Sequence, residues 1–130
     1  MNKKKILLIM SRKILSDALI AQTKDDLRFE LQADQNYDSA LITAISCQPE
    51  IVVVEIPESG RFRLAEKCLN ICDAIREQVP GCKQVLLCSE SDTGSCRAAI
   101  QAKQENRIDD FLYYDTSINY LFSKLESLMQ

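Results

Sequence analysis

The chain has 130 residues, 46% of them hydrophobic and 27% charged, which describes a single compact domain over residues 1–130 and excludes a disordered or fibrous chain. A net charge of −3, with no basic cluster beyond Lys3, Lys4 and Lys5, argues against nucleic acid as a direct partner and leaves those lysines as a solvated lead-in to a strand. The apolar part of MNKKKILLIM is too short for a signal-peptide core and no later stretch approaches a membrane span, so no membrane partner is expected and the expected location is the cytoplasm.

Aliphatic runs alternate with helical patterns along the chain. Lys5 to Met10 is a continuous apolar run, as a strand covered on both faces requires. Ile14, Leu15, Ala18, Leu19 and Ala21 then recur at helical spacing. Arg28 to Asp34 alternates, with Phe29, Leu31 and Ala33 on one side, and reads as a half-covered strand near a sheet edge. Tyr37, Leu41, Ala44 and Ile45 make the next helical stripe, closed by Pro49, and Ile51 to Ile56 is the third and most apolar strand. Leu64, Cys68, Ile71, Cys72 and Ile75 mark a helix that stops at Val79, Pro80 and Gly81. Gln84 to Ser89 is a fourth strand, Ala98 to Lys103 a weaker helix, Asp110 to Tyr114 a fifth strand, and Ile118 to Leu128 a closing amphipathic helix. Strands separated by helices imply right-handed βαβ units, a parallel sheet and a three-layer α/β sandwich.

The chain contains six cysteines and no histidine. No pair is spaced as CxxC, and the core is large enough to stand without a metal or disulfide. Cys68 and Cys72 would share a helix face, which admits a metal or redox role; the plainer reading is six reduced, partly buried apolar residues. No dinucleotide fingerprint or phosphate loop is present, and Ser or Cys nucleophiles lack their usual base, so no enzyme activity is expected. The stretch Ser89 to Arg97 puts hydroxyls and a glycine before a helix and suits either an anion cradle or ordinary capping by Ser91, Asp92 or Thr93. In parallel sheets the working crevice lies beyond the carboxyl ends of the strands. The residues there are Met10 and Ser11, Glu55, Ser89, and Tyr114 with Asp115.

Three segments then carry a resemblance. QPEIVVVEI, AIREQVPGCKQVLLCS and IDDFLYYDTSINYLFSKL look like the phosphoacceptor strand, the helix-to-strand passage and the fifth strand of response-regulator receiver domains, the CheY-like fold. The likeness covers nearly the whole chain and implies a five-stranded parallel sheet of order 2-1-3-4-5. It also implies site residues by position. The phosphoacceptor aspartate falls on Glu55, the two metal-holding acids on Met10 and Ser11, the phosphoryl-contacting lysine on Tyr114 and its following proline on Asp115. Only the hydroxyl at Ser89 and the aromatic switch position at Phe111 match the family.

Phosphoryl transfer depends on positioning and charge neutralisation by Mg²⁺ and a cation. Mg²⁺ wants hard oxygen ligands, which Met10 does not offer. The resemblance therefore implies a degenerate receiver: no cofactor, magnesium binding lost or very weak, and a phosphorylation-independent interaction module of two-component signalling. Glu55 is expected either as a solvated strand-end carboxylate or as a built-in mimic of the phosphorylated state, holding Ser89 and Phe111. The expected partners are proteins: a histidine kinase, another regulator or the domain's own output domain. A homodimer through the 110–125 region is also expected, where Tyr113, Tyr114 and Tyr120 supply interface-type side chains. The last helix reaches the end of the chain, so either a stand-alone adaptor or a piece of a longer regulator fits. Two alternatives stay open: phosphoryl transfer to Glu55 in an unorthodox site, and a flavodoxin-like binder of a small anionic ligand.

Overall fold

A computed structural model describes residues 3–58, 62–113 and 116–129. Five strands, β1 (Lys4–Ile9), β2 (Phe29–Asp34), β3 (Ile51–Glu55), β4 (Lys83–Cys88) and β5 (Asp110–Tyr113), alternate with five helices, α1 (Lys13–Gln22), α2 (Ala40–Cys47), α3 (Phe62–Gln78), α4 (Thr93–Gln104) and α5 (Ile118–Leu128). Every strand pairing is parallel, and the strand order is β2-β1-β3-β4-β5. Each expected element is present, with ends shifted by a few residues. Tyr37 to Ser39 forms a 3₁₀ turn ahead of α2. The fourth helix starts earlier than its apolar stripe, because Asp92 caps it by accepting from the Ser95 amide at 3.2 Å. Tyr114 and Asp115 lie outside the described residues.

The continuous apolar runs resolve into two faces with the period of two that a pleated strand imposes. Ile6, Leu8 and Met10 of the first strand, with Ile51, Val53, Val85 and Leu87, form a core under α1 and α5 with Leu19, Leu121, Phe122 and Leu125. Leu7, Ile9, Val52, Val54, Leu86 and Cys88 face the other way into a core with Ala44, Cys68, Cys72, Ile75 and Ala99 from α2, α3 and α4. On the edge strand β2, Phe29 is buried while Glu30 is exposed, and the Phe29 ring stacks on Phe122 at 5.6 Å, adding about 1 kcal/mol beyond area burial. The chain leaves α3 through Gly81, whose φ of +88° is the left-handed region that glycine enters without penalty.

All six cysteines are free. Burial pushes the thiols of Cys68, Cys82 and Cys88 up to about 12, so they stay protonated at neutral pH. Among the described residues no cluster of three or more His, Cys, Asp or Glu is suited to a metal. Nor is any helix among them long and apolar enough to cross a membrane.

Asp110, at the start of β5, ties three elements together: Lys103 of α4 approaches its Oδ1 at 3.0 Å and Lys124 of α5 its Oδ2 at 3.1 Å. Burial pushes its carboxyl up, but hydrogen bonds from Lys103, the Phe111 amide and Lys124 outweigh it and hold the group below the usual carboxylate range. A depressed folded pKa means stability that is fully present above the unfolded value of about 3.9 and is lost as pH falls through the folded value. D110N is therefore expected to lose about 1–2 kcal/mol at pH 7. The deficit relative to the parent shrinks below about pH 4, which urea denaturation at several pH values checks.

Candidate functional site

β3 is the central strand, flanked by β1 and β4, and all five of its residues are buried. Its alternation sends Val52 and Val54 toward α2–α4, so Glu55 takes the side of Ile51 and Val53, toward the start of α1. The carboxylate is thus carried into the interior: Glu55 is 0% exposed. The expected solvated strand-end carboxylate is corrected here, since a central strand covered on both sides leaves its last side chain no route to water.

What Glu55 meets is the beginning of α1. Its Oε1 accepts from the Ser11 amide at 2.7 Å, the Ser11 hydroxyl at 3.1 Å and the Arg12 amide at 3.1 Å. Among the described residues its Oε2 has no hydrogen-bond partner, and it lies 3.4 Å from Arg12 Nε, an ion pair in length. α1 needs such an acceptor: its N-cap is Arg12, whose side chain caps nothing, and its first turn holds no acidic residue. Glu55 supplies from across the sheet the negative charge that a helix N-terminus favours. The Glu55 carbonyl is held as well, accepting from the Tyr37 hydroxyl at 2.5 Å and the Cys68 thiol at 3.6 Å. Burial, then the nearby Cys68 and Glu55, push the Tyr37 phenol far up, so it remains a donor.

Arg12 continues outward to a second carboxylate. Its Nη2 lies 3.0 Å from Glu58 Oε2. Glu58 Oε1 in turn accepts from the Ser89 hydroxyl at 3.2 Å and the Ser91 hydroxyl at 3.0 Å, and those two hydroxyls are 2.9 Å apart. The exits of β1, β3 and β4 are joined by one polar chain.

Of the positions singled out in the sequence, Ser11 and Glu55 come together, and among the described residues Ser89 is joined to them through Glu58 and Arg12. Met10 is elsewhere: its side chain is fully buried in the core under α1 and α5. Phe111 is half-buried against the α2–α4 core, edge-on to Tyr113 at 6.0 Å and 75°. Glu55 therefore spends its hydrogen bonds on Ser11 and Arg12, while the hydroxyl that a mimic would hold belongs to Glu58. The lysine position, Tyr114, lies outside the described residues. In the Ser89 to Arg97 stretch, the capping reading is what is seen at Asp92.

Sequence reasoning missed Arg12 and Glu58. A signal existed: opposite charges sit just past two strands that become sheet neighbours, and α1 opens without a capping residue of its own.

The fold is that of response-regulator receiver domains. A DNA-binding response regulator of the LuxR family from Staphylococcus aureus superimposes with a TM-score of 0.75 at 18% identity, over 98% of this chain and 99% of that one. A CheY-like receiver domain protein from Methanospirillum hungatei JF-1 gives 0.75 at 12% identity over 98% and 94%. A response regulator from Burkholderia pseudomallei, solved with a phosphorylated aspartic acid, calcium ion and citrate, gives 0.70 at 16% identity over 96% and 72%. By sequence, no family model matches the chain and a search of curated proteins finds no match.

If Glu55 is held as described, E55Q puts an amide against donors and breaks the pairing with Arg12. The variant is expected to lose about 2–3 kcal/mol of unfolding free energy. A urea midpoint equal to the parent's would show that the buried carboxylate contributes nothing.

Proposed function

We propose that the chain is a receiver domain of two-component signalling that works as a protein-interaction module without accepting a phosphoryl group. The observation that carries this reading is the state of Glu55: in the phosphoacceptor's place, it is fully buried, with one oxygen taken by three donors and the other against Arg12. An attacking carboxylate needs an oxygen free to meet a phosphorus in line. The oxygen that takes no hydrogen bond is buried against the Arg12 guanidinium, so Glu55 offers no access.

Magnesium, which the fold family implies, does not fit these residues. Met10 presents a thioether to the core, and Ser11 turns both its amide and its hydroxyl toward Glu55 as donors. The guanidinium of Arg12 brings a positive charge to the carboxylate oxygen that a divalent ion would need. A magnesium ion demands several oxygens in octahedral array and would be repelled by the resident cation. Loss of one preorganised charge-stabilising group commonly costs about a hundredfold or more in rate, and here the metal ligands are replaced together. No turnover of its own is assigned to the domain.

Signalling then rests on surface contacts. The proposed partner is a protein: a histidine kinase, another regulator or an attached output domain, met in the cytoplasm. The 110–125 region is the proposed self-association face, with Tyr120 half-exposed on α5 and Phe111 and Tyr113 partly buried on the edge strand β5, on its α4 side. Incubating the protein with Mg²⁺ and acetyl phosphate and recording its intact mass tests the reading. Unmodified protein is expected. A labile phosphoryl adduct that disappears in E55Q would replace this reading with phosphotransfer.

A further inference from the structure

The outer half of the polar chain has a form of its own. Three donors converge on the two oxygens of Glu58: Arg12 Nη2 on one, the hydroxyls of Ser89 and Ser91 on the other. The donors come from two separate strand exits, 46 residues away for Arg12 and 31 and 33 residues away for the serines. A guanidinium and paired hydroxyls, set around one planar anion, are the elements of an oxyanion seat. We propose that Arg12, Ser89 and Ser91 form such a seat, that Glu58 fills it in cis, and that a free tetrahedral oxyanion of the phosphate class competes with Glu58 for it.

Two features make the occupant exchangeable. The Arg12 and Glu58 side chains are 47% and 45% exposed, so their pairing is weak and screened by salt. Glu58 nevertheless has the advantage of its tether, since a group on a short linker acts at an effective concentration of about millimolar. Arg12 is also anchored independently, because its Nε faces the buried Glu55. Removing the Glu58 carboxylate therefore empties the seat without releasing its cation. While Glu58 is seated it holds the exits of β1, β3 and β4 together; displaced, it frees the two serines. The inference goes beyond the proposed function and stands whichever protein the domain binds, since no step of it involves Glu55 as a nucleophile.

The test uses the full chain, labelled with ¹⁵N, as parent, E58A and the double variant R12A/E58A. Each is titrated with inorganic phosphate against chloride at matched ionic strength, reading the amides of Arg12 and residues 89–92, and amide exchange of the same residues is recorded without phosphate. E58A is expected to bind phosphate about two- to fivefold more tightly than the parent, because the weakly held tethered competitor is gone. The double variant is expected to lose this binding, and E58A to exchange faster at residues 89–92. A folded E58A that matches the parent in both exchange and phosphate response overturns the proposal. So does phosphate that shifts E58A and R12A/E58A alike.

Discussion

A carboxylate at the end of a central strand has to be neutralised by something, because an unpaired buried charge costs several kcal/mol. The fold places Glu55 there by simple geometry: β3 lies between β1 and β4, and its alternation turns the last side chain toward the start of α1. The answer is built from the chain itself. Two backbone amides, a hydroxyl and a guanidinium converge on the carboxylate from residues 11 and 12. One of these contacts takes the N-cap amide, Arg12, of a helix that has no side-chain cap of its own. One interaction thus solves two problems, and the arrangement of the whole cleft follows from it.

In a phosphoryl-accepting site the corresponding charge is left for a metal ion, and the carboxylate stays approachable. Here the cation is covalently part of the protein. On the function proposed above, that substitution changes the character of the site from chemical to mechanical. Arg12 joins the buried Glu55 to the exposed Glu58, and Glu58 joins both to Ser89 and Ser91. Three strand exits are held by internal contacts of graded exposure, buried at Glu55 and open to solvent at Glu58.

Most of the architecture was legible in the sequence because period and length carry it. The runs Lys5 to Met10 and Ile51 to Ile56 could only be covered strands, and the alternation around Phe29, Leu31 and Ala33 marked the edge. The site was less legible. That Met10 and Ser11 follow the first strand without an acid was visible, but not where the side chains go: Met10 continues the inward face of β1 and is core. Arg12 and Glu58 were overlooked because they are unremarkable loop charges until the parallel topology makes β1 and β3 neighbours. The burial of Glu55 likewise depends on which strand becomes central, which composition suggests but register decides. The early start of α4 carries no apolar signal at Gly94 and Ser95; it showed only in the capping residues offered between Ser91 and Thr93, of which Asp92 is the one used.

The most direct measurement is a crystal structure of the protein grown in a high concentration of magnesium. The account predicts the Arg12 guanidinium against Glu55 Oε2, within ion-pair distance, and Ser11 and Arg12 amides on Oε1. A magnesium ion bonded to a Glu55 oxygen at about 2.1 Å, with Arg12 turned away, would contradict it.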